Sequence, residues 1–349
     1  MQVSLLPFIG TNHTLSGSVI NTISFNVLAG YSLGVSALEV GGFANLIRGN
    51  VKGVQAAGFG NFVGKDVAGV QGAGFVNATF RDTEGIQASG FANFVGRDFQ
   101  GIQAAGFVNV IGRNAKNTIQ ASGFANVAIG DTKGIQASGF ANVAANHLKG
   151  IQASGFFNYA QIHTRGVQVS LVNYADSSGG FPIGLFSFVR ANGYRRLEIG
   201  SNDINYTHVV FKSGVQKFYN FLTIGSNFGY ANKPLFTLGY GIGTAQNWNK
   251  GWLTNADISY QRLVDSFNNI LESRAYIFRL DLAIEKKIGK QVSLFVGPSW
   301  TFMNAPAAYL NIEKSKLINI LPNATLRSGY HLSNWIGFQG GIRLLNKGS

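Results

Sequence analysis

From residue 34 to residue 173 the chain alternates apolar and polar positions inside a unit that recurs about every 16 residues. The unit reads Gly-Val/Ile-Gln-Ala-Ala/Ser-Gly-Phe-x-Asn. Its Asn falls at Asn45, Asn61, Asn77, Asn93, Asn109, Asn126, Asn142, Asn158 and Asn173, with one 17-residue and one 15-residue step. In residues 54–63 the even positions Val54, Ala56, Gly58, Gly60 and Phe62 form an apolar face, and the odd positions carry Gln55 and Asn61 beside Ala57, Phe59 and Val63. A strict period of two over about ten residues predicts a strand with two different environments. The polar residues 64–68 between units predict turns.

Two architectures use such a unit. In a β-solenoid the copies stack in parallel, each residue about 4.8 Å from its copy one unit on. That arrangement also stacks Lys65, Arg81, Arg97 and Arg113, and like charges facing each other are unfavourable. In an antiparallel up-and-down sheet the turns alternate ends and the cations separate. A hairpin centred on Asp66 pairs Asn61 with Gln71, Phe59 with Ala73 and Gln55 with Asn77, amide to amide and large to small. A membrane barrel needs strands of about 9 to 11 residues with an apolar band outside and a polar lumen. The pattern therefore predicts an all-β fold: a large antiparallel transmembrane β-barrel of about 18–22 strands. The alternative is a β-solenoid repeat domain followed by a smaller C-terminal β-barrel. The expected organisation is a single barrel domain over residues 1–349, with lead-in strands in 1–33, one-strand repeats in 34–174, and longer strands and loops in 175–349.

After residue 173 the short period dissolves and longer alternating segments follow. In residues 274–285, Tyr276, Phe278, Leu280, Leu282 and Ile284 share one face, and Arg279, Asp281 and Glu285 share the other. Residues 252–260 set Trp252, Ile258 and Tyr260 against Asn255, Asp257 and Ser259, while Phe236, Leu238, Tyr240 and Ile242 repeat the alternation. Residues 335–345 set Ile336, Phe338, Ile342 and Leu344 against Gln339 and Arg343. Charges confined to one face suit a lumen opposed to lipid. The expected lumen-facing polar set is Gln55, Asn61, Gln71, Asn77, Gln87, Asn93, Gln103, Asn109, Gln120, Asn126, Asp257, Arg279, Asp281 and Arg343. The expected lipid- or partner-facing set is Val54, Phe62, Ile86, Phe94, Tyr276, Phe278 and Leu280. Connections 265–273 and 303–318 are the longest and are expected on the external side.

Composition supports a membrane setting. Charged residues make up 12% of the chain, Gly contributes 46 of 349, and mean hydropathy is positive. No apolar run reaches the roughly 18 residues of a membrane helix, so a membrane form requires a closed barrel. With no Cys, neither disulfides nor thiolate metal sites are available. The net charge of +13 is spread one or two cations per turn. That spacing argues against nucleic acid, which wants clustered cations with aromatic platforms, and suits a lipid bilayer and lipopolysaccharide, with other outer-membrane proteins as further partners. The chain opens Met1-Gln2-Val3-Ser4 without a basic segment or cleavage site, so an export signal is expected to have been removed.

Candidate chemistry is sparse. Gly239-Tyr240-Gly241-Ile242-Gly243 resembles a dinucleotide-binding phrase, but no helical pattern follows it. A lipid-modifying barrel enzyme would pair Ser with His; His13, His147, His163, His208 and His331 lie in no nucleophile motif. The turn carboxylates Asp66, Asp82, Asp98 and Asp131 come singly, as turn residues do. No enzyme activity, cofactor or metal is expected. The Gly-Val-Gln-x-x-Gly-Phe-x-Asn units, with the phrase FPIGLFSFVRANGYRRLEI over residues 181–199, resemble a family of uncharacterised surface-repeat outer-membrane proteins of Gram-negative bacteria. The resemblance implies export to the outer membrane and no reaction. The expected role is a non-enzymatic barrel, either a structural subunit of an outer-membrane assembly or a passive pore. The alternative is a surface solenoid used for adhesion.

Overall fold

A computed structural model describes residues 1–227, 235–264, 275–289, 291–306, 318–319, 324–325 and 330–347. Its contacts divide the chain into two compact units, Met1–Gly180 and Phe181–Ser349. The first is a β-solenoid of about 11 turns and the second contains a closed 8-strand barrel. The large barrel expected from the repeat pattern is thereby corrected, and with it the basis for one domain over 1–349.

In the solenoid the 16-residue unit makes a long and a short strand rather than one, and only past residue 141 does a short strand run on into the next long one, as Ala141–Ser154 and Phe157–Val169. Val51–Ala57 and Gly60–Val63 are separated by a corner at Gly58-Phe59, so the ten-residue strand read across 54–63 is bent at its middle. Neighbouring copies pair in parallel: Gln55 lies opposite Gln71 and Asn61 opposite Asn77. The hairpin pairing of Asn61 with Gln71 is absent. Neither a four-residue nor a seven-residue strand reaches across a bilayer.

Two of the cations that argued against parallel stacking, Arg97 and Arg113, are paired with a second column. An acidic residue or Asn follows each turn cation, and its side chain accepts the backbone N–H of the next copy: Asp82 N–H donates to Asp66 at 3.2 Å, Asp98 N–H to Asp82 at 3.0 Å, and Asn114 N–H to Asp98 at 3.2 Å. Arg97 then stands 3.9 Å from Asp82, and Arg113 stands 3.2 Å from Asp98. The carboxylates thus hold the turns together and screen the cations at once.

Glycine sets the approach of one turn to the next at the corner. A Cβ at Gly74 would collide with the carbonyl oxygen of Gly58, and one at Gly90 with that of Gly74. The 17-residue step is absorbed at Asn117, which takes the left-handed conformation (φ 49°) where the register shifts between Lys116 and Thr118. The 15-residue step comes from the last full turn, where Leu171 stands in place of Gly-Phe.

The second unit closes eight antiparallel strands: Gly193–Asn202, Thr207–Val215, Phe218–Asn227, Leu235–Asn247, Trp252–Val264, Tyr276–Lys287, Ser293–Pro306 and Tyr330–Lys347. The last pairs back onto the first, Ile342 opposite Ile199. Segments Phe181–Ile183 and Phe186–Val189 precede the barrel. Asn220 lies opposite Ile242, which is exposed on the outer wall, so Asn220 faces outward as well. It is buried because it donates to Pro182 O (2.7 Å) and Ser187 Oγ (2.9 Å) of those segments. The phrase over 181–199 thus runs from a strap on the outer wall into the first barrel strand. The expected external connection 265–273 lies outside the described residues, as does 307–317 of the connection 303–318.

Two glycines of one repeat, Gly72 near the end of strand Val67–Ala73 and Gly74 at the corner after it, test the stacking geometry. Gly74→Ala should destabilise the solenoid by roughly 2–4 kcal/mol through the clash with Gly58. Gly72→Ala, where a Cβ meets nothing within 4 Å, should be neutral or stabilising by up to about 1 kcal/mol. Urea denaturation midpoints of the two variants check this.

Candidate functional site

The repeated amides occupy the solenoid core. Gln55, Gln71, Gln87, Gln103, Gln120, Asn61, Asn77, Asn93, Asn109 and Asn126 are all 0% exposed, so they line no lumen. Each Gln Nε2 donates to the preceding copy: Gln71 to Gln55 at 2.8 Å, Gln87 to Gln71 at 2.7 Å. Each Asn Nδ2 donates to the following copy: Asn61 to Asn77 at 2.8 Å, Asn77 to Asn93 at 2.9 Å. The two ladders run in opposite directions along the axis. The Asn amino group also reaches a main-chain carbonyl, as Asn61 does to Gly72 O at 2.9 Å. Both of its protons are used, which is what a fully buried amide requires.

The Gln ladder ends at Glu39, whose carboxyl oxygens accept from Gln55 (2.7 Å) and Asn26 (3.0 Å). Burial raises the Glu39 pKa, and these hydrogen bonds with one from Ser24 only partly offset it. At the turn column, burial alone would raise the Asp98 pKa. The Lys116 ammonium, the Asn114 N–H and the Arg113 charge overcome it and hold the carboxyl below its usual range.

A different column carries Val51, Val67, Thr83, Phe99, Ala115, Thr132 and Leu148 into the core, and His163 follows Leu148 in register. His163 is 0% exposed, its Nδ1 is 3.2 Å from Ser178 Oγ, and its Nε2 has no hydrogen-bond partner. Burial lowers its pKa to about 4.

The outward-facing set is exposed on the solenoid wall rather than on a barrel. Val54, Ile86 and Phe94 are 43%, 41% and 37% exposed, and Phe62 is half-buried. At the corner, rings from Phe43 to Phe156 stack on one another with centroids 4.7–5.1 Å apart and planes within 13°. Each ring covers its neighbours' faces and turns its edge outward.

Asp257, Arg279, Asp281 and Arg343 are buried inside the barrel; Phe278 is exposed, and Tyr276 and Leu280 half-exposed, outside. The interior is an ion-pair network. Arg343 donates to Glu198 (2.8 Å), Glu285 (2.8 Å) and Asn255 (2.8 Å), while Lys212 bridges Glu198 (3.0 Å) and Asp257 (2.6 Å). Arg279 bridges Asp203 (2.9 Å) and Asp281 (2.8 Å), and Trp335 Nε1 donates to Asp203 at 2.6 Å. One cavity among these groups measures about 20 Å³, room for a single water. His208 is held by Glu198 (3.2 Å) and Asn202 (3.2 Å); the side chain of His331 lies outside the described residues.

Glu198 and Lys212 were missed in the sequence. Their signal was the same alternation that exposed Arg279 and Asp281: His208, Val210 and Lys212 fall on one parity. The second role of the turn Asp residues was missed too, and the Arg-Asp and Lys-Asp doublets spaced by 16 residues carried it. Compared with protein-family models, with curated proteins and with solved structures, the chain finds no match.

Two measurements follow from this core. Asn109→Ala leaves the Asn93 donor, the Asn126 acceptor and the Ala121 carbonyl unpaired or underpaired. It should cost roughly 3 kcal/mol in chemical denaturation. Because the folded pKa of His163 lies below its unfolded value, its contribution is complete above about pH 6.5. It is lost as pH falls towards about 4, a change of up to roughly 3 kcal/mol. Stability measured across that window should fall in the wild type and fall less in His163→Leu.

Proposed function

We propose that the chain is a surface-exposed β-solenoid interaction protein held in the outer membrane of a Gram-negative bacterium by a small β-barrel. The single observation that supports the anchor is the inverted polarity of the barrel. Its interior buries arginine, lysine, aspartate and glutamate, while its outer wall exposes Ile258 at 57%, Leu282 at 47%, Ile284 at 54%, Val296 at 59% and Trp300 at 46%. Water would favour the reverse distribution, and hydrocarbon favours this one. The resemblance of the repeat phrase to outer-membrane surface-repeat proteins points the same way.

An anchoring role fits the barrel better than a passive pore. Eight strands enclose an interior just wide enough for side chains to fill, and here it is filled by paired charges. Solute would have to break several buried ion pairs to pass, and uncovering one partner of such a pair costs several kcal/mol. The repeats then serve as a rigid rod whose outer columns meet a partner, which is the adhesion alternative developed from the sequence.

Cell fractionation, detergent-gel migration with and without heating, and planar-bilayer recording test this directly. The expected result is outer-membrane partitioning, a heat-dependent mobility shift and no stable conductance step. A chain recovered in the aqueous fraction with unshifted mobility would overturn the anchor, and reproducible open-channel steps would overturn the closed lumen.

A further inference from the structure

The solenoid carries two columns of cations, and only one of them is accounted for by the fold. In the turn column Arg97 and Arg113 stand beside carboxylates, as described above. The other column stands on the long-strand wall. There the register places Lys116 opposite Lys133, Lys133 opposite Lys149, and Lys149 opposite Arg165. These are four cations in four consecutive turns, one strand spacing of about 4.8 Å apart. Lys116 reaches Asp98 at 2.7 Å. Lys133, Lys149 and Arg165 are exposed, and no acidic side chain lies within ion-pair distance of them among the described residues. A ladder of like charges costs stability, so the row needs an explanation from outside the chain.

The neighbouring columns say what kind. Two positions along the same strands, or three from Lys116 across the extra residue Asn117, stand Ile119, Ile135 and Ile151, exposed by 44%, 38% and 41%. Beyond them lies a shallow trough of about 980 Å³ floored by small residues such as Ala121, Ala137 and Ala153. The corner that follows carries the edges of Phe124, Phe140 and Phe156, exposed by 41–45%. The wall thus grades from cations through branched aliphatics to aromatic edges, in straight rows. We propose that this wall docks on the surface of an anionic lipid bilayer, the Lys/Arg row meeting the headgroups and the Ile and Phe rows entering the acyl boundary. This is the division of labour of interfacial membrane-binding surfaces, built here on a sheet instead of a helix.

Two other occupants fit less well. A carbohydrate polymer stacks on ring faces, and these faces are taken by neighbouring rings. A second copy of the wall would bring its own cations to the interface, and at the outward position of that column, from Lys52 to Arg165, the only acid is Glu84. The inference goes beyond the anchoring role and stands on separate residues.

The chain has no Cys, so one label can be placed at will on the full-length protein. An environment-sensitive fluorophore on Ile135→Cys reports the wall, and one on Leu282→Cys reports the barrel. Each protein is reconstituted into phosphatidylcholine vesicles, with and without about a third phosphatidylglycerol, containing spin-labelled quencher lipid. The expected result is a blue shift and at least about five-fold stronger quenching at Ile135→Cys in the anionic vesicles, weakened by salt. Combining Lys133→Glu, Lys149→Glu and Arg165→Glu should abolish it; the milder Lys→Gln and Arg→Gln set should reduce it if the reversed set fails to fold. Quenching at Leu282→Cys is expected in both vesicle types. If Leu282→Cys is quenched and Ile135→Cys is not, the docking proposal falls and the anchor stands; the converse sinks the anchor alone. Equal quenching of Ile135→Cys in both vesicle types, insensitive to the charge variants, overturns the role of the cation row. A lipid-free signal that grows with protein concentration indicates a second copy and overturns the proposal. So does a signal produced by soluble dextran sulfate in place of vesicles.

Discussion

A buried amide with an unmatched proton or lone pair is costly, and the solenoid is organised around avoiding that cost. Each copy places one Gln and one Asn in a core that water does not reach. An identical residue one strand spacing away supplies both the donor and the acceptor that each requires. This fixes the parallel register, because a slip by one residue would set an amide against an alkyl group in both ladders at once. The corner glycines and the turn carboxylates follow from it, since they hold successive copies at the separation the ladders need. The core is specified by hydrogen bonding as much as by apolar burial, with Val51, Val63 and Val67 filling the space beside the amides.

The barrel reaches the opposite solution with charges. Arg343, Lys212 and Arg279 each face two carboxylates. No buried cation in this set depends on a single partner, and removal of any one acid leaves the other in place. Buried pairs of this kind are poor sources of net stability and strong sources of specificity in the packing they permit. They also explain why the outer wall is free to be apolar: the residues that would normally hydrate the surface have been turned inward.

The local alternation was legible throughout. It located four of the eight barrel strands, put Phe278 and Leu282 on one side and Arg279 and Asp281 on the other, and marked the repeat. What the alternation could not decide was the direction in which neighbouring copies run, because Gln and Asn find amide partners in either register. The Arg ladder taken alone breaks that tie the wrong way. Asp82 follows Arg81 and Asp98 follows Arg97, so stacking the copies brings the opposite charge along. The corner was hidden for a related reason: Gly58 keeps the even-position parity and so does not interrupt the pattern, although it interrupts the strand. His163 was visible only as one histidine among five. Its burial depends on the column it enters, and columns exist only once the parallel register is known.

Because the Gln ladder and the Asn ladder each pass one proton donor from copy to copy, an added copy brings as many donors as acceptors to both. The termini at Glu39 and Asn173 would be unaffected by how many copies lie between them. Reach can therefore change in increments of about 4.8 Å with no redesign at either end, so the length of the rod is a quantity that can drift or be selected independently of its stability per turn.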